Sequence, residues 1–234
     1  MRGLAVTRAE VPKGLVALPV RTPLVGAGDD LIGIVQACVK GIARPGDVIA
    51  ISETAVAIAQ HEFVPAEYVR PSKLAYALSR RAGALATVNQ PESLQLVIDQ
   101  AGQWKVLYAA IAHAFGRLRG RRGVFYEVMG EAITAIDGYT GTLPPYERAI
   151  VFAPREPDAF AQSVADRIGI ACAIVDANDL EKAKVLGASR DVDRTGVEHA
   201  LLDNPHGNGD EQTPIVVLKW RGNGANPLAR DGAA

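Results

Sequence analysis

Gly28-Asp29-Asp30-Leu31-Ile32-Gly33-Ile34-Val35-Gln36-Ala37-Cys38-Val39, followed after a short break by Gly46-Asp47-Val48-Ile49-Ala50-Ile51, is the stretch that decides the fold class. Leu31, Ile34, Val35, Cys38 and Val39 recur at helical spacing and make one apolar stripe. Asp29 or Asp30 suits the N-cap, where a carboxylate is also favourable at the positive helix end. Gly41 and Pro45 close the helix. Gly46-Asp47 turns the chain, and Val48 to Ile51 is an apolar run of strand type, with Ser52, Glu53 and Thr54 at its end.

Outward from this centre, Val11 to Val20 holds a short apolar run ended by Arg21-Thr22-Pro23. Downstream, Ser72 to Arg81 and Pro91 to Ala101 read as helices, and Trp104 to Leu118 as a longer, more buried one. Its apolar face suits the core or a dimer, and periodicity does not choose. The basic link Arg117, Arg119, Gly120, Arg121, Arg122, Gly123 reads as a solvated helix end, with phosphate capture as the rival. Val124 to Val128, Ala132 to Ile136 and Ala149 to Phe152 look like strands. Pro157 to Ile168 has helical spacing, and Ile170 to Val175 and Ile215 to Leu218 read as buried strands. Strands interspersed with helices, without strict alternation, favour an α+β fold: a mixed β-sheet with packed helices. The expected organisation is one domain over 1–220, with a candidate subdomain break near 119–123, and a Gly/Asn/Ala-rich, disordered tail over 221–234.

Composition narrows the function. The 234 residues are 48% hydrophobic and 22% charged, an ordinary globular balance. The formal net charge of −1, from 25 basic and 26 acidic residues, leaves no excess to neutralise a nucleic-acid backbone. Cys38 and Cys172 sit in apolar stretches and read as buried thiols, and no Cys/His cluster has zinc spacing. Met1 to Glu10 lacks the apolar centre of a signal peptide, and Trp104 to Leu118 is too short and too interrupted to span a membrane. The default location is cytoplasmic. There is no Walker-type phosphate loop, dinucleotide fingerprint or Gly-x-Ser-x-Gly elbow. His61, His113, His199 and His206 lie far apart and are read as surface or helix-end residues.

Three constellations carry possible chemistry. In Ala173-Ile174-Val175-Asp176-Ala177-Asn178-Asp179-Leu180 an apolar strand delivers two carboxylates and an amide into one turn. Hard cations such as magnesium or manganese want oxygens gathered in this way. Asn178 or Asp179 equally suits the N-cap of a short helix from Leu180 to Val185, and spacing alone does not choose. Ala135-Ile136-Asp137-Gly138-Tyr139-Thr140 again puts a carboxylate after an apolar run, although Asp-Gly by itself reads as a plain hairpin turn. The loop Asn204-Pro205-His206-Gly207-Asn208-Gly209-Asp210-Glu211-Gln212-Thr213-Pro214 has closely spaced glycines. They let backbone amides approach phosphate oxygens, or simply make a flexible surface loop.

Taken together, Leu18-Pro19-Val20-Arg21-Thr22-Pro23-Leu24 with Gly28-Asp29-Asp30-Leu31, Gly46 to Glu53, and His206-Gly207-Asn208 through Thr213-Pro214 to Leu218 resemble the γ-glutamyl ligases of the deazaflavin coenzyme F-420. The likeness covers roughly residues 15 to 220. It implies the family's α+β fold, a homodimer, and a reaction that uses GTP (or ATP) and manganese or magnesium to attach L-glutamate to a carboxylate of the coenzyme precursor. By resemblance, Asp137, Asp176 and Asn208 fall at metal-holding positions, and Asp179 is read as joining them beside Ala177. Leu18, Pro19, Val20, Arg21, Ser52, Glu53, Thr140, Gly207 and Gly209 fall at nucleotide-binding positions. Three departures stand out: Glu53 replaces a family lysine, Ala57 a second lysine, and Ala177 a hydroxyl residue. They set a divergent ligase against two rivals, a non-catalytic relative that binds a nucleotide or metabolite, and a ligase for another flavin-like or pterin-like cofactor.

Overall fold

The computed structural model describes residues 14–81, 89–121, 123–130, 133, 136–138, 143–178, 182–207, 211–222 and 225–229, with Asp137, Asn178 and Lys182 described in backbone only. The chain divides into two compact units, the first made of residues 1–61 and 154–234, the second of residues 62–153.

The first unit is built on a five-stranded mixed sheet. Its strands are β1 (Leu15–Val20), β2 (Val48–Ser52), β6 (Ala171–Asn178), β7 (Lys182–Ala188) and β8 (Ile215–Trp220), in the order β1-β8-β2-β6-β7. β2 and β6 run parallel, and the other pairings are antiparallel. The apolar runs of β2, β6 and β8 are continuous because both faces of the central strands are covered. One face packs Ile49, Ile51, Cys172, Ile174, Ile215 and Val217 against helices α1 (Leu31–Val39) and α7 (Pro157–Ile168). On the other face Val48, Ala50, Val175, Val216 and Leu218 meet Val197 and Leu201, from α8 (Arg194–Ala200) and just beyond it, together with Leu228. Pro19 is accommodated because β1 is an edge strand.

Local chemistry fixes the elements. Asp30 is the N-cap of α1: it accepts from the Gly33 N–H at 3.0 Å and takes both Arg167 guanidinium nitrogens, at 3.2 and 3.1 Å. These contacts, the Gly33 amide first, hold its carboxyl below the ordinary value. Asp29 instead closes the preceding turn, accepting from the Gly26 N–H at 2.7 Å. Gly187 in β7 must be glycine, since a Cβ there would lie 2.2 Å from the Pro157 carbonyl carbon where α7 begins.

The second unit holds a small sheet, β3 (Phe63–Pro65), β5 (Ala149–Phe152) and β4 (Ile136–Asp137) in that order, and helices α3 (Lys73–Ser79), α4 (Pro91–Ala101), α5 (Gln103–Leu118) and α6 (Val124–Met129). Leu94, Val97, Val106, Ala109, Met129, Ile133 and Ile150 form its core.

The expected α+β fold with a mixed sheet is what the chain adopts, and several expectations are corrected within it. Val124 to Val128 is helix, not strand. Val124 and Met129 are buried with exposed residues between them, a helical rather than a two-residue period, and Val124 lies over the bare Gly116 of α5. Packing has overridden β propensity there. Of Ala132 to Ile136 only Ile136 is strand among the described residues, and Ile133 is helical. α5 is not a more buried helix, because only Val106 and Ala109 on it are fully buried. The link at 119–123 lies inside the second unit and joins α5 to α6 rather than separating subdomains. The segment from Arg221 is anchored as far as it is described. Arg221 donates to the Gly14 carbonyl, Asn226 and Leu228 are buried, and Ala229 bridges to Val192. No helix among the described residues is long and apolar enough to cross a membrane.

Candidate functional site

One edge of the five-stranded sheet gathers most of the described candidate residues, and strand register explains why. Val20, the last residue of β1, pairs with Ile215, the first of β8; Ile51 of β2 pairs with that same Ile215. Ser52, next along β2, pairs with Val175, one residue before Asp176. The carboxyl ends of β1, β2 and β6 therefore meet where the closing loop enters β8. Two backbone bonds tie that loop down: Thr22 N–H to the Gln212 carbonyl at 3.0 Å, and Ser52 N–H to the Pro214 carbonyl at 2.8 Å. Carboxyl ends of strands are where open sheets commonly bind ligands.

At this edge Arg21 is exposed, and Leu18 and Pro19 are exposed along the outer strand. Ser52 precedes helix α2 (Glu53–Ala59) and makes no capping hydrogen bond with its side chain. Glu53 is half-buried at the start of that helix, and Ala57 is fully buried within it. A lysine at position 57 would therefore start from a fully buried position.

Asp176 is half-buried and faces Lys184 across the β6–β7 pair. Burial raises its carboxyl above the ordinary value, and the Lys184 charge pulls in the opposite direction. β7 removes one rival for this segment, since Lys182 to Ala188 is an antiparallel strand and not a helix that Asn178 or Asp179 could cap. Likewise Asp137-Gly138 does not form a two-residue hairpin, because β4 returns to β5 only after residues 138–148. Gly138 is buried, with the Gln90 side chain where a Cβ would stand.

The closing loop holds two residues that reading the sequence missed. His206, expected at the surface or a helix end, is only 8% exposed, and burial pushes its imidazole down to about 4. Its Nδ1 lies 3.3 Å from the Thr213 carbonyl, which fixes the proton on that nitrogen, while the Thr213 hydroxyl donates back to the His206 carbonyl at 2.6 Å. Buried Nε2 has no partner among the described residues. Glu211 places its carboxylate 2.8 Å from where a Gly207 Cβ would be, so the loop closes over a bare glycine at φ 73°. Only the polar, glycine-rich character of the loop signalled either residue.

Other expected residues lie elsewhere. Asp137 belongs to the second unit, and its side chain, with Thr140, Asp179, Asn208 and Gly209, lies outside the described residues. Among the described residues no group of three or more His, Cys, Asp or Glu converges to hold a metal ion. Cys172 is buried and its thiol is pushed well up by desolvation, whereas Cys38 is only half-buried; both are free. A shallow groove along α1 is lined by Pro23, Asp29, Asp30, Gly33, Ile34, Ala37 and Cys38. Its carboxylates are those already committed to the turn and the cap.

The family profile described as F420-0:gamma-glutamyl ligase matches residues 19–176, from the end of β1 through Asp176 of β6. No curated protein matches the chain. With more than half of its length matched, and with the matched stretch beginning and ending at this one sheet edge, the chain belongs to the γ-glutamyl ligase family of coenzyme F-420 biosynthesis.

Proposed function

We propose that this chain is an acid–amino-acid ligase that attaches L-glutamate, through its amine, to a carboxylate of a deazaflavin coenzyme precursor, using GTP or ATP and a divalent cation in the cytoplasm. The observation that carries this reading is the family match over 19–176, supported by the meeting of Val20-Arg21, Ser52-Glu53 and Asp176 with the closing loop at one sheet edge. A carboxylate does not acylate an amine at neutral pH, so it must first be activated as an acyl phosphate. Arg21, exposed at the end of β1, would take phosphate oxygens, and Gly207 would let backbone approach them once the Glu211 carboxylate beside it is displaced. Ser52 offers a hydroxyl not spent on capping its own helix.

Asp176 fits a hard cation in chemistry: it is a carboxylate made costly by burial, which a metal charge would offset. By resemblance Asn208 would join it, with Asp179 as a further carboxylate of the same unit, and Asp137 falls at another of the family's metal positions. When bound, the ion would neutralise charge between phosphate oxygens and the attacking carboxylate. The resemblance also supports a homodimer.

A second reading has its own observation. Glu53 sets a negative charge where the family places a lysine, and buried Ala57 removes another cation. Both disfavour a triphosphate and favour a non-catalytic relative that binds a smaller metabolite. Calorimetric titration of GTP and ATP, with and without manganese, separates the two. Metal-dependent binding near micromolar, about −8 kcal/mol, weakened in Asp176→Asn, supports the ligase and leads to an assay of phosphate release with glutamate and acceptor. Absence of binding by either nucleotide overturns it.

A further inference from the structure

The sheet that gathers the candidate site also aligns charges, and the register of two strand pairs fixes where they stand. Ser52, Val175 and Val185 lie in one row across β2, β6 and β7. One residue further on, Asp176 stands opposite Lys184, and the chain after Ser52 turns into α2 at Glu53. Side chains alternate between the two faces of a strand. Cys172 and Ile174 of β6 pack in the same core as Ala55 and Val56 of α2, so Asp176, two residues beyond Ile174, belongs to the face that α2 covers. Lys184, its cross-strand partner, belongs to that face as well. Glu53 at the start of α2, Asp176 and Lys184 therefore share one face of one sheet end.

We infer that Lys184 takes the part of the lysines that Glu53 and Ala57 replace, its ammonium holding terminal phosphate oxygens of the nucleotide beside Asp176. This role rests on the ligase reading and adds to it a residue that the resemblance does not supply. Three observations carry it. The first is need. The two positions where the resemblance expects lysine hold a half-buried carboxylate and a buried methyl group. Arg21 stands at the end of β1, three strands from β6, about 14 Å away at the usual strand spacing. Without another cation, Glu53 and Asp176 would meet a triphosphate with negative charge only. The second is availability. Lys184 is exposed, and among the described residues its ammonium makes no hydrogen bond or close ion pair. Its charge nevertheless reaches Asp176: burial raises that carboxyl, and Lys184 pulls it the other way. Lysine suits the task, being a compact point charge on a flexible stem with three donors. The third concerns the edge of the sheet. Lysine often blunts an exposed edge strand, but amides of β7 are already covered without it. The Val185 N–H donates to the Glu198 carboxylate at 2.9 Å, and the Ala188 N–H to the Asp158 carboxylate at 2.8 Å.

Titration of GTP into the full chain with manganese tests the assignment, with GMP, which lacks the terminal phosphates, measured by displacement of GTP. Lys184→Gln is expected to weaken GTP by about tenfold or more, the size of one lost hydrogen bond to a charged group, and to leave GMP unchanged. Lys184→Arg should keep most of the affinity. Glu53→Lys in the Lys184→Gln background should restore it, since both positions then serve the same phosphates. The circular dichroism and melting of each variant at position 184 should match wild type, because the side chain is exposed. A measurement on the unaltered chain stands beside the variants. GTP with manganese should slow acetylation of Lys184 and not that of Lys40, which is exposed between α1 and the opposite end of β2. Equal GTP affinity in wild type and Lys184→Gln, equal losses for GTP and GMP, or unchanged acetylation of Lys184 overturns the assignment and leaves the ligase reading standing. A wild type that binds neither nucleotide overturns both, so the two failures are told apart.

Discussion

Acidification should unlock the closing loop through one residue, His206. In the folded chain burial pushes its imidazole down to about 4, from an ordinary value of 6.5. The unfolded chain therefore binds a proton between pH 6.5 and 4 that the folded chain refuses. Stability must fall with pH across that window and is complete only above it. At 1.36 kcal/mol per unit, the gap of about two and a half units sets an upper value of about 3 kcal/mol for this one site. Urea unfolding at steps from pH 7.5 to 4 measures it, with His206→Gln as the comparison, since glutamine keeps a polar side chain and does not titrate. The variant should start lower at pH 7.5, having weakened the contact to the Thr213 carbonyl, and then lose less stability than wild type down to pH 4. Carboxylates titrating near pH 4 contribute to both proteins and cancel in the difference. Equal slopes in the two proteins would falsify the burial of His206 as the cause.

Asp30→Ala should lower the melting temperature at neutral pH, because it removes both the α1 cap and the Arg167 pair. The wild-type advantage should fade on acidification through the carboxylate range, since the folded carboxyl lies below its ordinary value and its stabilisation is lost as pH falls. Gly187→Ala forces a methyl group against the Pro157 backbone and should cost at least about 1–3 kcal/mol in urea unfolding; a neutral outcome would mean that α7 does not rest on β7. Glu53→Lys restores a cation at the start of α2 and should tighten GTP binding by about tenfold or more, about 1.4 kcal/mol, measured by calorimetry. Unchanged affinity would show that position 53 lies away from the phosphates.

Elements with a clear period and a clear boundary residue were readable without coordinates. Leu31 to Val39 follows its stripe and begins at the Asp30 cap, and Pro91 to Ala101 and Pro157 to Ile168 begin at a proline tolerated in the first turn. Val48 to Ile51 and Ile215 to Leu218 stand out because central strands buried on both faces are apolar throughout. Errors fell where the residues favour one state locally and packing imposes another. Val124-Phe125-Tyr126 is rich in β-formers, yet the segment is helical and seats Val124 over the bare glycine at position 116. Of the Leu180 to Val185 segment, with a plausible cap before it, the described part from Lys182 is drawn into a strand by pairing with β6.

For the candidate site, the sequence by itself determined the chemistry available: a carboxylate after the β6 run, Ser52-Glu53 after β2, Arg21 after β1, and a glycine-rich loop before β8. It also determined family membership, since the profile match rests on sequence alone. Only the tertiary structure decided that these separate stretches share one sheet edge, because register between strands distant in the chain is set by which faces are buried, not by local spacing. Burial was likewise a tertiary decision. His206 was withdrawn from water by the loop closing on β8, while Trp104, Tyr108, Ile111, Phe115 and Leu118 stand outside the core of their unit because Val106 and Ala109 are the residues of α5 that fill it.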